Sequence, residues 1–104
     1  MALQQQTRFN KQKYVSGVKL VGFDWTGFLR GLSPTESIDT SVWEAEDGSG
    51  LTLTNDAVIS SVASAVFVSG GVPGARTWEI KNTITTTPTG VTEVRIYVFT
   101  ILKG

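Results

Sequence analysis

The chain has 104 residues, and its nine basic and nine acidic side chains cancel to a net charge of zero. This length fits one domain with a single core, and the neutral balance gives no overall attraction to nucleic acid or to an anionic membrane. The absence of histidine and cysteine argues against disulfides, thiol chemistry and zinc binding. The first residues lack the apolar segment of a secretory signal, and no apolar run approaches the roughly 20 residues needed to span a bilayer.

The N-terminal residues 1–17 are polar, rich in glutamine and lysine, and follow neither a helix nor a strand period. We therefore expect an extended arm over residues 1–17 and one β-sandwich domain over residues 18–104. The arm has two alternative roles: a frayed terminus, or a docking arm whose aromatic side chains, Phe9 and Tyr14, pack against a neighbouring subunit.

An apolar segment over residues 18–29 follows the arm. Val18 and Leu20 share one face of a predicted strand, because side chains two residues apart point the same way. The alternation breaks after that, and Asp24 is placed to cap a short helical turn. Helical spacing then puts three large side chains on one side of this turn: Trp25, Phe28 and Leu29.

Short strands separated by turn residues make up the rest of the chain. The first three are predicted over residues 37–45, 51–59 and 61–69. In the first of these, Ile38 and Trp43 have opposite parity, so we expect a β-bulge that lets both face the core. In the third, three valines lie on one face, while the other face carries Ala63, Ala65 and Phe67.

The last two strands are predicted over residues 77–86 and 91–102, joined by a hairpin turn. Alternation in the first directs inward the side chains Trp78, Ile80 and Ile84. In the second, the expected inward residues are Val94, Ile96, Val98 and Leu102. Six or seven strands at this spacing predict an all-β fold, specifically an immunoglobulin-like two-sheet antiparallel sandwich with an extended N-terminal arm. A jelly roll, with eight strands, fits this length less well.

Residues suited to catalysis or to cofactor binding are sparse. A serine nucleophile needs an activating base, and neither a histidine nor a Ser-x-x-Lys pattern is present. The glycine-rich loop 70–74 precedes another strand rather than the helix that a phosphate loop opens, and the acidic turn 44–47 lacks the alternating ligands of a calcium loop. We therefore predict no enzyme activity, no catalytic or metal-binding residues and no cofactor. The three tryptophans are expected in the core; an exposed pair would instead indicate a carbohydrate-binding module.

Several blocks follow one another in a fixed order: Gly22-Phe23-Asp24-Trp25-x-x-Phe28-Leu29, Ser37-Ile38-x-x-Ser41-x-Trp43, Phe67-Val68-Ser69-Gly70-Gly71-x-x-Gly74, Trp78-x-Ile80-x-Asn82-Thr83-Ile84-Thr85-Thr86 and Gly90-x-Thr92-Glu93-x-Arg95. This succession resembles the fibre–tail adaptor family of tailed phages and prophages, which are small immunoglobulin-like structural proteins. The resemblance implies a bacteriophage virion protein without catalysis, present in several copies at the tail or neck and assembled in the host cytoplasm. Its partners are then other virion proteins and copies of itself, with no nucleic acid or membrane. The alternative within the virion is a capsid decoration protein.

The final strand also predicts a binding surface. Its outward row of large side chains is expected to be covered, because monomers rarely expose such a row. The cover is either the opposite sheet with residues 23–29, or the arm of a neighbouring subunit, whose lysines then meet acids such as Glu44 or Glu46. The candidate interface residues are Phe9, Lys11, Lys13, Tyr14, Tyr97, Phe99 and Ile101.

Overall fold

The computed structural model describes residues 7–103. The chain is nearly all β over this range, with one short helix. The elements are β1 (Arg8–Tyr14), β2 (Val18–Asp24), α1 (Thr26–Leu32), β3 (Ser37–Ala45), β4 (Leu51–Ile59), β5 (Ala63–Gly70), β6 (Thr77–Thr87) and β7 (Thr92–Leu102). These positions agree closely with the strands predicted from β2 onward.

The strands form two sheets that pack face to face. The larger sheet has the order β1-β7-β6-β3, and the smaller sheet has the order β2-β5-β4. The predicted all-β two-sheet sandwich is confirmed, and its immunoglobulin-like character stays a prediction. The strand pairings within residues 18–103 are antiparallel, and β1, from the predicted arm, adds one parallel pairing with β7.

The described part of the predicted arm lies in the larger sheet. β1 pairs with β7 from Arg8 opposite Ile96 to Tyr14 opposite Leu102. The polar sequence of β1 gave no strand signal because its partner, and not its own pattern, determines its conformation. Residues 1–6 lie outside the described residues, and the boundary between an arm and a domain at residue 17 stays a prediction.

The core lies between the two sheets and is closed at one end by α1. Trp25 and Leu29 are fully buried there, and Phe28 packs against them at the margin, which confirms the predicted apolar side of the helical turn. The carboxylate of Asp24 accepts a hydrogen bond from the backbone N–H of Thr26 at 2.9 Å. This bond fixes the chain where β2 ends, one residue before the helix N-cap at Trp25.

A chain of hydrogen bonds crosses the apolar core and joins the two sheets. The indole N–H of Trp25 donates to the Ser64 hydroxyl at 3.0 Å, and that hydroxyl donates to the Asn82 Oδ1 at 2.6 Å. The Asn82 amide in turn donates to the Ser41 hydroxyl at 2.9 Å. Ser64 lies on β5, whereas Asn82 and Ser41 lie on β6 and β3, so the chain fixes the relative position of the sheets.

A buried carboxylate holds the loop before β3 against the β6–β7 hairpin. Glu36 is fully buried, and its oxygens accept bonds from the hydroxyls of Ser33 at 3.0 Å and Thr89 at 2.6 Å. Burial raises the pKa of Glu36, but hydrogen bonds from Thr86, Thr89 and Ser33 together outweigh it and hold the pKa below its usual value.

The orientation predicted for the last strand was wrong. Tyr97, Phe99 and Ile101 are buried, while the opposite row, which includes Val94, Ile96 and Val98, is only partly buried. The cause is the register of the hairpin, in which Ile80 pairs with Tyr97 and Trp78 with Phe99. Directly paired residues share a sheet face, so the inward side chains of β6 bring these aromatic residues inward as well.

Two strands carry irregularities at the same lateral side of the sandwich. The register of β3 shifts between Ile38 and Thr40, which confirms the predicted bulge. A second shift, in β4, lies between Thr54 and Ala57. It reverses which side chains of β4 face outward, so that Ala57 and Ile59 join the outer face of the smaller sheet.

Candidate docking surfaces

The predicted interface residues on β7 belong to the core of the same chain. Phe99 and Ile101 are almost completely buried, and the ring of Tyr97 stacks on Phe23 with centroids 4.4 Å apart. The Tyr97 hydroxyl donates to the backbone carbonyl of Gly22 in the opposite sheet. These side chains are therefore covered by the smaller sheet and by residues 23–29, which was one of the two predicted explanations.

The predicted interface residues on β1 are divided between the core and the surface. Phe9 packs within its own chain, with its ring centroid 5.3 Å from that of Phe23 and 6.0 Å from that of Tyr97. Tyr14 is 58% exposed, and the Lys11 ammonium lies 5.6 Å from the centroid of the Tyr97 ring. Only Lys11 and Tyr14 of this group present a side chain that a partner can reach.

Lys13 has a structural position instead. Its side chain is buried, and its ammonium donates to the backbone carbonyls of Tyr14 and Gly70, both at 2.7 Å. Burial lowers the pKa of Lys13. Since β1 and Gly70 belong to different sheets, Lys13 closes this side of the sandwich, and its ammonium is not available to an acid on a neighbour.

The outer face of the smaller sheet, which we call the apolar face, carries four of the exposed large hydrophobic side chains of residues 7–103. Leu20 on β2 pairs directly with Phe67 on the central strand β5. These two side chains are 59% and 37% exposed, and Val18, two residues from Leu20 on β2, is 67% exposed. Ile59, opposite Ala63 toward the other end of the face, is 52% exposed. The apolar side chains of this face are Val18, Leu20, Ala57, Ile59, Ala65 and Phe67; Thr52, Thr54 and Ser69 share it, and Asp24 lies at its end.

Close backbone packing keeps the centre of the apolar face shallow. Gly22 pairs with Ala65, and a Cβ at Gly22 would lie 2.4 Å from the carbonyl oxygen of Ser64. Because Gly22 and Ala65 are small, the side chains of Leu20, Phe67 and Ile59 project farther outward than the centre of the face. A contiguous apolar surface of this kind marks a binding site for another protein more often than a surface left in water.

Part of the signal for this face is present in the sequence. The predicted strand over residues 61–69 is apolar on both sides, and Val18 and Leu20 were correctly placed on one face. A strand that is apolar on both sides is expected to be covered on both sides. Sequence analysis missed the site because it assigned no partner strand to β2.

The outer face of the larger sheet has a different character. Arg8 and Glu79 form an ion pair there, and the Lys81 ammonium lies 3.9 Å from the Glu44 carboxylate. Threonines and other polar residues occupy β6 around these pairs, and a partly buried row of valine and isoleucine runs along β7. This surface is suited to contact with water.

The two lateral sides of the sandwich also differ. The side of β1 and β2 forms an open groove of about 740 Å³ that Lys11, Lys13 and Lys19 line together with polar and apolar residues. The opposite side, formed by β3 and β4, has a smaller cleft with Asp56 at its margin. Beside this cleft the buried indole N–H of Trp43 has no hydrogen-bond partner among residues 7–103.

The tryptophans do not form an exposed stacking platform. Trp25 and Trp78 are buried, and Trp43 is partly buried against the core. Among residues 7–103, no three histidine, cysteine or acidic side chains are grouped closely enough to hold a metal ion. The single helix of this region is too short to cross a membrane.

The chain is a small two-sheet β-sandwich with an exposed apolar face on its smaller sheet. A family model described as podophage GP4 fiber-tail adaptor protein gp77 matches residues 13–99. The match covers most of the chain, so the chain belongs to this family of phage structural proteins, and the resemblance noted in the sequence is confirmed. Comparison with curated proteins and with solved structures gave no match.

Proposed function

We propose that this chain is a non-enzymatic subunit of a bacteriophage virion that attaches fibres to the tail or neck. The family match over residues 13–99 is the observation that carries the proposal. An adaptor of this kind binds at least two other proteins, and it needs no reacting group of its own. The absence of histidine and cysteine from the sequence agrees with that role.

The apolar face supplies the principal docking surface in this proposal. It lies on a rigid element, because its central strand β5 is paired on both sides and Ser64 ties it to the opposite sheet. Four of its side chains are large enough to fill pockets in a partner: Val18, Leu20, Ile59 and Phe67. Burying each is worth about 1.5–3 kcal/mol before the costs of association, which suits a permanent contact in an assembled particle.

The first test is the composition of the particle. Virions of the phage that encodes the chain are purified and analysed by quantitative mass spectrometry. We expect the chain in the particle at six to some tens of copies, as a tail or neck component would be. Its absence from purified virions would overturn the proposal, while hundreds of copies would favour the capsid decoration alternative.

The second test locates the chain in the particle. A gold label attached at Gly104 is imaged on virions by electron microscopy, with unlabelled virions as the control. We expect the label where the fibres join the tail. Label distributed over the capsid shell would contradict a fibre adaptor even if the copy number is low.

A further inference from the structure

Charge is strongly segregated along the sequence. Residues 8–20, which contain β1 and the first three residues of β2, have four bases and no acid, and Asp24 is the one acid of these two strands. Residues 37–59, which contain β3 and β4, have five acids and no base. Although the chain is neutral overall, these two segments therefore carry opposite net charges.

The fold places these segments on opposite lateral sides of the sandwich. β1 and β3 are the two edges of the larger sheet, and β2 and β4 are the two edges of the smaller sheet. We call the side of β1 and β2 the basic edge and the side of β3 and β4 the acidic edge. Three strand spacings separate β1 from β3, about 14 Å, which exceeds the Debye length of about 8 Å at physiological ionic strength. The two edges consequently do not neutralise each other within one chain.

Charged groups on each edge are left for a partner. Within residues 7–103, no carboxylate lies at ion-pair distance from Lys11 or Lys19, and both lysines line the groove of the basic edge. On the acidic edge, Asp39 and Asp56 are exposed, and neither has a base at ion-pair distance in the same part of the chain.

Strand direction makes the two edges compatible with each other. β1 is parallel to β7, and two antiparallel steps through β6 make β3 parallel to β1. The same counting through β5 makes β4 parallel to β2. A second copy displaced sideways, without being turned over, therefore brings its β3 beside β1 and its β4 beside β2, each parallel to its new neighbour.

We propose that the basic edge binds the acidic edge of a second copy of this chain, so that subunits associate head to tail. Like edges repel each other, and this selects the unlike pairing. The bulges in β3 and β4 interrupt a continuous backbone ladder, so the contact depends mainly on charged side chains. A head-to-tail contact of this kind closes into a ring when the rotation between subunits permits. The proposed contact between two copies does not depend on where the chain lies in a virion.

The test uses charge reversal on the full chain. K11E/K19E reverses the two bases of the basic edge that have no acid at ion-pair distance, and D39K/D56K reverses the two such acids of the acidic edge. The control T77E/T92E/K103E makes the same change in net charge as K11E/K19E, at exposed positions at the starts of β6 and β7 and beyond β7. Self-association is measured by sedimentation velocity at about 20 mM and about 500 mM salt, between which the Debye length falls several-fold.

We expect the wild type and the control to associate at low salt and to dissociate at high salt. Each edge variant alone should associate at least about ten-fold more weakly, because like charges then face each other. An equal mixture of the two edge variants should recover association, since the reversed side chains of one variant then face reversed side chains of opposite charge on the other. That recovery also shows that both variants are folded.

Three results would overturn the proposal. The first is a wild type that stays monomeric at low salt. The second is an edge variant that associates like the wild type, and the third is a mixture that fails to recover. In the first case an acidic strand from another protein becomes the better occupant of the groove, and the adaptor role remains open to its own tests.

Discussion

The outer faces of the two sheets contrast in what they present to their surroundings. The larger sheet carries the ion pairs Arg8–Glu79 and Lys81–Glu44 above its central strands. The smaller sheet carries the side chains of Leu20 and Phe67, with no charged residue directly paired to either. The outer face of the larger sheet therefore carries charged side chains, whereas that of the smaller sheet is mainly apolar. The difference supports the proposal that a partner covers the apolar face in the assembled particle.

The strongest test of this contrast is to make the apolar face resemble the charged one. L20D/F67D places two carboxylates at its centre, where a partner would have to desolvate them. We expect binding to the virion to weaken by at least about 100-fold, as when two central contact residues are lost. Incorporation is measured by western blot of virions assembled with each variant.

The matched control for this prediction is T83D/T85D, which adds two carboxylates to the outer face of β6. It should enter particles at the wild-type level. Thermal unfolding of each variant shows whether the exposed substitutions leave the sandwich intact. Normal incorporation of a folded L20D/F67D variant would contradict the assignment of the apolar face.

A second prediction concerns the hydrogen bonds through Asn82 that join the two sheets across the core. N82A removes the link between Ser64 and Ser41, and it leaves the buried Ser64 hydroxyl without its acceptor. We expect the free energy of unfolding in urea to fall by about 2–3 kcal/mol. S41A, which removes only the last member of the chain, should cost less. A change below about 0.5 kcal/mol for N82A would show that the network does not stabilise the sandwich.

A third prediction concerns the pH dependence of the free energy of unfolding. The pKa of Glu36 is lower in the folded chain than its usual value of 4.5, so the unfolded chain binds the proton more tightly. Its contribution to stability is therefore complete above about pH 4.5 and is lost as the pH falls toward the folded pKa. E36Q should be less stable at neutral pH and should lose less stability on acidification.

Urea unfolding at a series of pH values measures this effect. E44Q, which removes an exposed carboxylate of the acidic edge, is the matched control. An E36Q variant with the same loss of stability in acid as the wild type would show that the hydrogen bonds from Ser33 and Thr89 do not favour the ionised form.

The smallest effect is expected on the charged face of the larger sheet. Arg8 and Glu79 are each about half exposed, and exposed ion pairs contribute about 0–1 kcal/mol. E79Q should therefore change the free energy of unfolding by less than about 1 kcal/mol and leave incorporation unchanged. A large loss of incorporation would move the docking surface to this face.

The sequence predicted much of the fold because local signals were strong. The alternation in β6 identified its inward residues, and the opposite parity of Ile38 and Trp43 predicted the bulge in β3. The spacing of Trp25, Phe28 and Leu29 predicted the helical turn. Each of these features depends on residues close together in the chain.

The errors and omissions all involve partners distant in sequence. β7 is apolar on both faces, and only its register with Trp78 and Ile80 decides which face is inward. β1 is polar and becomes a strand through its pairing with β7. The candidate site was missed for the same reason, because Leu20 and Phe67 meet only once β2 and β5 are paired.

The most direct test of the account is the accessibility of the apolar face in the assembled particle. The chain contains no cysteine, so Leu20→Cys and Lys81→Cys each introduce one thiol, on the apolar face and on the charged face respectively. Both thiols should react with a maleimide reagent in the free protein. In purified virions we predict that the thiol at position 20 is protected while that at position 81 still reacts. Full reactivity at position 20, with or without protection at position 81, would contradict the account.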